Sequence, residues 1–366
     1  MSHSDFHWRP FERDGATALL QRHQHENLWL APRLPTGPHD RLSDVAGVRV
    51  GHCTLADGEI QSGCSALDMG ATPARPLPCG IAILNGFAKP VGLTQVAELG
   101  TISGPILLGN TYSIGALFDA SIQWATRQEP QLGRELPTFN PVALECNDGF
   151  LNDLQARALR PEHALAAINS AAVEFDTGAV GAGRGMSCFG LKGGIGTASR
   201  MVTTATGQWT LGALVLSNFG KAEDFTLDGV RLGPWLAAQL QQHETAHPED
   251  AATQPEKGSI IIVLATDAPL DKRQLDRVVR RAGVGIGRTG GYWGHGSGDI
   301  ALAVSTAASQ PLLEDHTLDP LFKASADATE AAIIDALLNA EPVTGFRQHQ
   351  RTALSDWLTQ LHQQLP

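Results

Sequence analysis

The chain has 366 residues, 42% hydrophobic and 18% charged, with a net charge of −11. That length and apolar content suit one large or two ordinary packed domains and exclude an intrinsically disordered chain. The acidic balance argues against nucleic acid or an anionic membrane as partner, and the 39 aperiodic glycines exclude collagen while pointing to tight turns and close backbone approaches.

Residues 1–39 are polar, with a Pro-rich stretch from Pro32 to Pro38, and read as an N-terminal arm that packs onto a larger body. The polar start lacks an apolar signal core, and the longest strongly apolar run, 260–265, is far short of a membrane span. A soluble cytoplasmic protein is expected. Five cysteines (Cys53, Cys64, Cys79, Cys146, Cys188) form no C-x-x-C pair and are expected to be reduced core thiols rather than disulfides or zinc ligands.

Residues 44–52 (DVAGVRVGH) alternate Val with small or polar residues and predict a strand. A second strand is predicted over 80–85, an apolar helix over 114–124, and a strand over 141–145 that runs into the polar turn 146–149. Residues 161–174 are Ala-rich with helical spacing, residues 178–200 are dense in glycine, and 209–217 form a strand ending at Asn218-Phe219-Gly220. The polar stretch 239–258, with two prolines, reads as a linker that stops at Gly258-Ser259, where the strand 260–265 begins. A helix is predicted next, with Pro269 near its first turn, Leu275, Val278, Val279 and Ala282 as its apolar stripe, and Gly283 as its stop. Its basic residues Lys272, Arg273, Arg277, Arg280 and Arg281 read as a solvated face. Glycine-rich residues 283–298 lead into a strand over 300–305, and Asp327-x-x-Glu330 reads as a capping box for a helix through Leu338. Strands and helices mixed along the whole length predict a layered α/β or α+β class.

Three motifs invite a function. His243-Glu244-x-x-His247 has the spacing of a helical zinc site with Glu as general base, but it sits in the polar linker with Pro248 directly after it. Gly285-x-Gly287-x-x-Gly290 matches a dinucleotide fingerprint. It follows a helix and precedes a strand, the reverse of what that fingerprint needs, and reads as a glycine-bent turn. Thr197 and Ser199, after three glycines, are hydroxyls that read better as turn caps than as nucleophiles. No Gly-x-Ser-x-Gly elbow occurs.

The Gly258-Ser259 junction is a different kind of candidate. Cleavage of this peptide would give Ser259 both a hydroxyl nucleophile and an α-amine, whose pKa near 7.7–8 leaves a useful fraction free as base at neutral pH. The cut can be intramolecular, with the Ser259 hydroxyl attacking the Gly258 carbonyl. On composition alone, an ordinary strand start is the better reading of these residues. Taken singly, Asp299 and Asn218 likewise read as turn formers, and Glu145 as a surface-facing strand residue.

The stretches NDGFLND (147–153), DTGAVGAGRGMSCFGLKGGIGTASR (176–200), SNFG (217–220), GSIIIVLATDAPL (258–270) and HGSGDI (295–300), with DVAGVRVGH upstream, together resemble one family. It is the self-processing aminopeptidases of the L-aminopeptidase D-esterase/amidase type, which include the β-aminopeptidases. The resemblance runs in order over about residues 40–340. It implies a four-layer α-β-β-α sandwich, convergent with the N-terminal nucleophile hydrolases, as a single domain over 40–366. It implies self-cleavage into an α chain (1–258) and a β chain (259–366), with no cofactor and no metal. Ser259 then stands as nucleophile with its own amine as base, Ser297 and Asp299 orient it, and Asn218 donates to the oxyanion. Glu145 receives the free amine of a small peptide, amide or ester. The family resembles a tetramer of αβ units. The chain departs from the family's Glu-x-Tyr-Asp pattern with Glu145-Cys146-Asn147-Asp148, which puts Asn147 where a tyrosine would meet substrate. An acyltransferase or other amide hydrolase on the same scaffold, a zinc peptidase and an uncleaved binding protein are the competing readings.

Overall fold

The computed structural model describes residues 9–246, 258–307 and 311–365. The first strands are β1 (Arg49–Asp57), β2 (Ile60–Asp68), β3 (Leu77–Gly86), β4 (Thr101–Ile102), β5 (Ile106–Asn110) and β6 (Val142–Cys146). A tight hairpin of β7 (Ser187–Cys188) and β8 (Leu191–Lys192) precedes the long strands β9 (Gly194–Thr204) and β10 (Gly207–Asn218). A small ribbon of β11 (Thr226–Leu227) and β12 (Val230–Arg231) follows, then β13 (Ser259–Thr266) and β14 (Gly298–Ser305). The helices are α1 (Pro10–Glu26), α2 (Leu93–Leu99), α3 (Ile114–Gln128), α4 (Pro161–Asn169), α5 (Gly233–Ala246), α6 (Lys272–Val279), α7 (Ala282–Thr289), α8 (Asp319–Leu338) and α9 (Leu354–Gln364).

Two sheets carry the site, one of four strands in the order β1-β2-β5-β6 and one of six in the order β4-β3-β14-β13-β10-β9. In the six-stranded sheet only β13 and β14 run parallel. Strand alternation sends successive side chains to opposite faces. Ile261, Val263 and Ala265 of β13, with Ile300, Leu302 and Val304 of β14, pack against Val50, Leu67, Ile106, Leu108 and Leu144 of the other sheet. Their neighbours Ile260, Ile262, Leu264, Ala301 and Ala303 turn the other way, onto Leu275, Val278, Ile286, Leu321 and Ala332 of α6, α7 and α8. On the far side, Ala66, Leu107 and Ala143 meet Leu117 and Ala120 of α3 and Ala164 and Ala167 of α4. The layers are therefore α-β-β-α, as expected. The continuous apolar run of β13 follows from burial on both faces.

Several boundaries differ from those predicted. The strand expected over 44–52 begins only at Arg49, because a 3-10 turn at Leu42–Asp44 precedes it. Residues 239–246 of the expected linker continue α5. Gly283 does not stop a helix: α6 opens at a capping box of Asp271 and Gln274, and Gly283 lies inside α7. Gly285 and Gly287 are helical too, so they form no turn, and only Gly290 takes the left-handed conformation, at the C-cap of α7. A Cβ on Gly285 would come within 2.7 Å of Ala326 O and Glu330 N, so the glycine lets α7 lie directly on α8. Part of the basic face is paired: Arg273 holds Asp315 by two bonds of 2.6 and 2.7 Å, and Arg281 lies over the Phe322 ring. Of the expected arm, residues 10–26 form α1, whose buried Ala16, Leu19 and Leu20 join the core cluster that residues of α8 and α9 also line. Four of the five cysteines are buried, Cys53 is half-buried, and all are free thiols. Among the described residues no helix is long and apolar enough to cross a membrane.

Asp327 and Glu330 are not a helix cap but buried acceptors in mid-α8. Asp327 pairs with Arg200 of β9 and Arg33, and Glu330 with Arg33 and Arg288. One turn further along, Asp335 accepts the Thr197 N–H at 2.9 Å, and burial pushes its carboxyl up to about 7 from an ordinary 3.8. Its folded form thus binds a proton that the unfolded chain has released, and the stability it lends is lost as pH rises through about 4 to 7. Half-buried His52, held down to about 4 by desolvation, pulls in the opposite sense. The prediction is therefore differential: relative to Asp335→Asn, the wild type should lose stability between pH 5 and pH 8. Thermal unfolding at both pH values checks it, and an unchanged difference would contradict it.

Candidate active site

Strand register puts the expected residues in one row. Asn218 at the end of β10 pairs with Ser259 at the start of β13, Ser259 pairs with Gly298 at the start of β14, and Gly298 pairs with Gly86 at the end of β3. Asn218, Ser259, Ser297 and Asp299 are all buried. The Ser259 hydroxyl lies against the peptide it is expected to attack: Oγ donates to the Gly258 carbonyl at 2.8 Å and accepts the Gly298 N–H at 3.2 Å. A Cβ on Gly258 would stand 2.7 Å from Phe219 Cα and 3.0 Å from Asn218 O, so the approach of β10 requires glycine before the serine.

The Ser297 hydroxyl donates to Asp299 Oδ1 at 2.7 Å, which ties the two ends of the Ser-Gly-Asp turn together. The group resting on Ser259 Oγ is the Gly298 amide between them. Sequence reasoning missed that contact because a backbone N–H leaves no mark in a residue pattern. It also missed Asn85, opposite Asp299 on β3, whose Nδ2 shares its two hydrogens among the carbonyls of Gly294, His295 and Ser297 and so fixes the turn.

Asn218 is held from both sides. Its Oδ1 accepts the Ser187 N–H at 2.8 Å and its Nδ2 donates to the Asn147 carbonyl at 3.0 Å. These partners fix which end of the amide is the donor, and the bond to Asn147 uses only one of its two hydrogens.

Glu145 is the penultimate residue of β6 in the four-stranded sheet. It is 3% exposed, which corrects the surface-facing reading. Its Oε1 accepts the Lys89 N–H at 2.8 Å. The segment 86–91 links it to the other sheet, since the Phe87 N–H donates to Ser297 O at 3.3 Å and Val91 bridges Ala143. Asn147 is exposed, and its side chain closes a turn by accepting the Gly149 N–H at 2.9 Å, while its carbonyl takes the Asn218 bond. Beneath it, Asp148 is buried against the Ser62 hydroxyl (2.6 Å) and Asn152 Nδ2 (3.1 Å). Burial pushes its carboxyl up to about 6, against the pull of those bonds.

The other candidates lie elsewhere. Thr197 Oγ1 donates to Ala213 O and Ser199 Oγ to Asp44, so both are buried structural hydroxyls. His243 sits edge-on to Trp357 on α5, Glu244 follows it on the same helix, and His247 lies outside the described residues. Among the described residues no three His, Cys, Asp or Glu side chains gather as a metal ion would need.

The row therefore offers a hydroxyl beside a carbonyl, an amide donor and a backbone N–H near it, and a carboxylate at the same end of the sandwich. These are the parts of an acyl-transfer site. Comparison with known proteins agrees with this geometry. The model of peptidase family S58 matches residues 40–351. A β-peptidyl aminopeptidase (BapA) of Sphingosinicella microcystinivorans is 37% identical over 336 residues, 84% of each chain. The L-aminopeptidase D-Ala-esterase/amidase of Ochrobactrum anthropi, described as a prototype serine aminopeptidase with a variant of the Ntn-hydrolase fold, superposes with a TM-score of 0.80 at 31% identity. That match covers 92% of this chain and 98% of the other. A protein of Pyrococcus horikoshii OT3 does so with a TM-score of 0.83 at 41% identity, over 91% and 97% of the two chains. With a family model spanning most of its length and relatives that share its fold, the chain belongs to peptidase family S58.

Proposed function

We propose that this aminopeptidase cuts its own Gly258–Ser259 bond and then releases N-terminal residues from small peptides, amides or esters through an acyl-enzyme on Ser259. The observation that carries the reading is the Ser259 hydroxyl, 2.8 Å from the Gly258 carbonyl oxygen and in register with Asn218 and Gly298. In the first step Oγ adds to the Gly258 carbonyl carbon, its proton passes to the Ser259 nitrogen, and the C–N bond breaks to leave an ester. Water then opens that ester, giving a carboxylate on Gly258 and a free amine and hydroxyl on Ser259.

In turnover the free amine takes the Oγ proton as Oγ attacks the substrate carbonyl, and returns it to the leaving amine. The second hydrogen of Asn218 Nδ2 supports its reading as oxyanion donor. The Ser297–Asp299 pair sets the turn whose Gly298 N–H orients the hydroxyl. The names of the relatives support substrates with a free amine, and Glu145 is the carboxylate to receive it. Lys89 occupies one of its oxygens. Self-processing and a tetramer of cleaved units belong to the same reading and rest on family resemblance.

The test is Glu145→Gln. Losing a charge-assisted contact should raise KM for an aminoacyl amide by about 10- to 100-fold, with kcat changed much less. An unchanged KM for free-amine substrates would remove Glu145 from amine recognition.

A further inference from the structure

Lys192 has a fully buried side chain that the chemistry above does not use. Its ammonium donates to three backbone carbonyls, Gly183 O at 2.8 Å, Met186 O at 2.7 Å and Gly193 O at 2.8 Å. Burial lowers the pKa of a lysine, but three acceptors at these distances call for three hydrogens, which only the ammonium has. All three carbonyls flank the β7–β8 hairpin. That hairpin reaches the site twice: Ser187 N–H donates to Asn218 Oδ1 at 2.8 Å and Phe189 N–H to Phe219 O at 2.8 Å. Lys192 is also the strand partner of Ser187, and its own N–H is held by Thr352 O at 2.8 Å. On the other side of Asn218, buried Asp148 steadies the turn that offers the Asn147 carbonyl.

We propose that Lys192 is a positioning residue for the reaction: its ammonium locks the 183–193 loop so that Ser187 N–H fixes the Asn218 amide with its donor end toward the reacting carbonyl. The loop carries seven glycines between 178 and 194 with φ in or near the left-handed region or in close backbone contact; Met186, Phe189 and Leu191 anchor its side chains in the core, but the glycine backbone between them needs rigidity of its own. Three charge-assisted bonds to its carbonyls supply that rigidity, and the cost of leaving them unmade in a buried site is what makes the arrangement hard to distort. The inference rests on the oxyanion reading of Asn218, and the experiment separates the two.

The experiment is a double-mutant cycle of Lys192→Met and Asn218→Ala on the full chain. The readouts are the self-cleavage rate followed by intact mass, and kcat and KM on an aminoacyl amide normalised to the cleaved fraction. Lys192→Met is expected to lower kcat by about 10- to 100-fold, with KM within about threefold, and to add little on top of Asn218→Ala. Independent, multiplying effects would overturn the positioning role while leaving Asn218 as oxyanion donor. No effect of Asn218→Ala itself would instead remove the reading beneath it. If Lys192→Met fails to fold, Lys192→Gln, which keeps two N–H hydrogens without the charge, goes through the same cycle. Hydrogen exchange at Ser187 should then accelerate in that variant, and an exchange rate equal to wild type would contradict the link.

Discussion

Ser259→Ala should remain one uncut chain and lose turnover of aminoacyl amides by about 10⁴-fold or more, the scale on which removal of a catalytic nucleophile acts. Ser297 Oγ, the neighbouring hydroxyl at the site, donates to Asp299, and the more distant Thr197 Oγ1 and Ser199 Oγ donate to Ala213 O and Asp44. The fold should survive, because the side chain lost is small and its bonds are to Gly258 O and the Gly298 N–H. Leaving that one N–H without an acceptor costs about 1–3 kcal/mol. Thermal unfolding beside the activity assay separates loss of chemistry from loss of structure. A cleaved, active Ser259→Ala would place the nucleophile elsewhere.

The next largest effect is expected at Asn218. Asn218→Ala should lower kcat by about 10²- to 10³-fold with little change in KM, as removal of one oxyanion-hole donor does. Asn218→Asp sharpens the point. It keeps an oxygen to accept the Ser187 N–H but replaces the NH₂ that donates to Asn147 O, and it sets a negative charge where negative charge develops. It should be at least as impaired as the alanine variant. Steady-state kinetics on an amide substrate decides, and an Asn218→Asp variant close to wild type would exclude the donor role.

The layered fold was legible because its central strands are buried on both faces: 260–265 and 300–304 are unbroken apolar runs, and both are strands of the six-stranded sheet. The site was legible only as separate motifs in family order. Neither the register that sets Asn218 opposite Ser259 nor the pairing of Ser259 with Gly298 leaves a local pattern. Mid-helix Asp327 and Glu330 mimicked a cap because their spacing also puts two carboxylates on one helix face, where they receive Arg33, Arg200 and Arg288. α1 escaped notice because its apolar contribution to the core, Ala16, Leu19 and Leu20, is sparse in a mostly polar segment. Lys192 sits in the midst of a recognisable motif, yet its role depends on three carbonyls that no side chain announces.

The central claim is that the Gly258–Ser259 peptide is a scissile bond and that its cleavage creates the nucleophile. Intact-mass analysis of the purified wild-type protein under denaturing conditions tests it most directly. The account predicts two masses, corresponding to residues 1–258 and 259–366, with the second beginning at Ser259. A single uncut mass from a preparation that fully hydrolyses aminoacyl amides would contradict it.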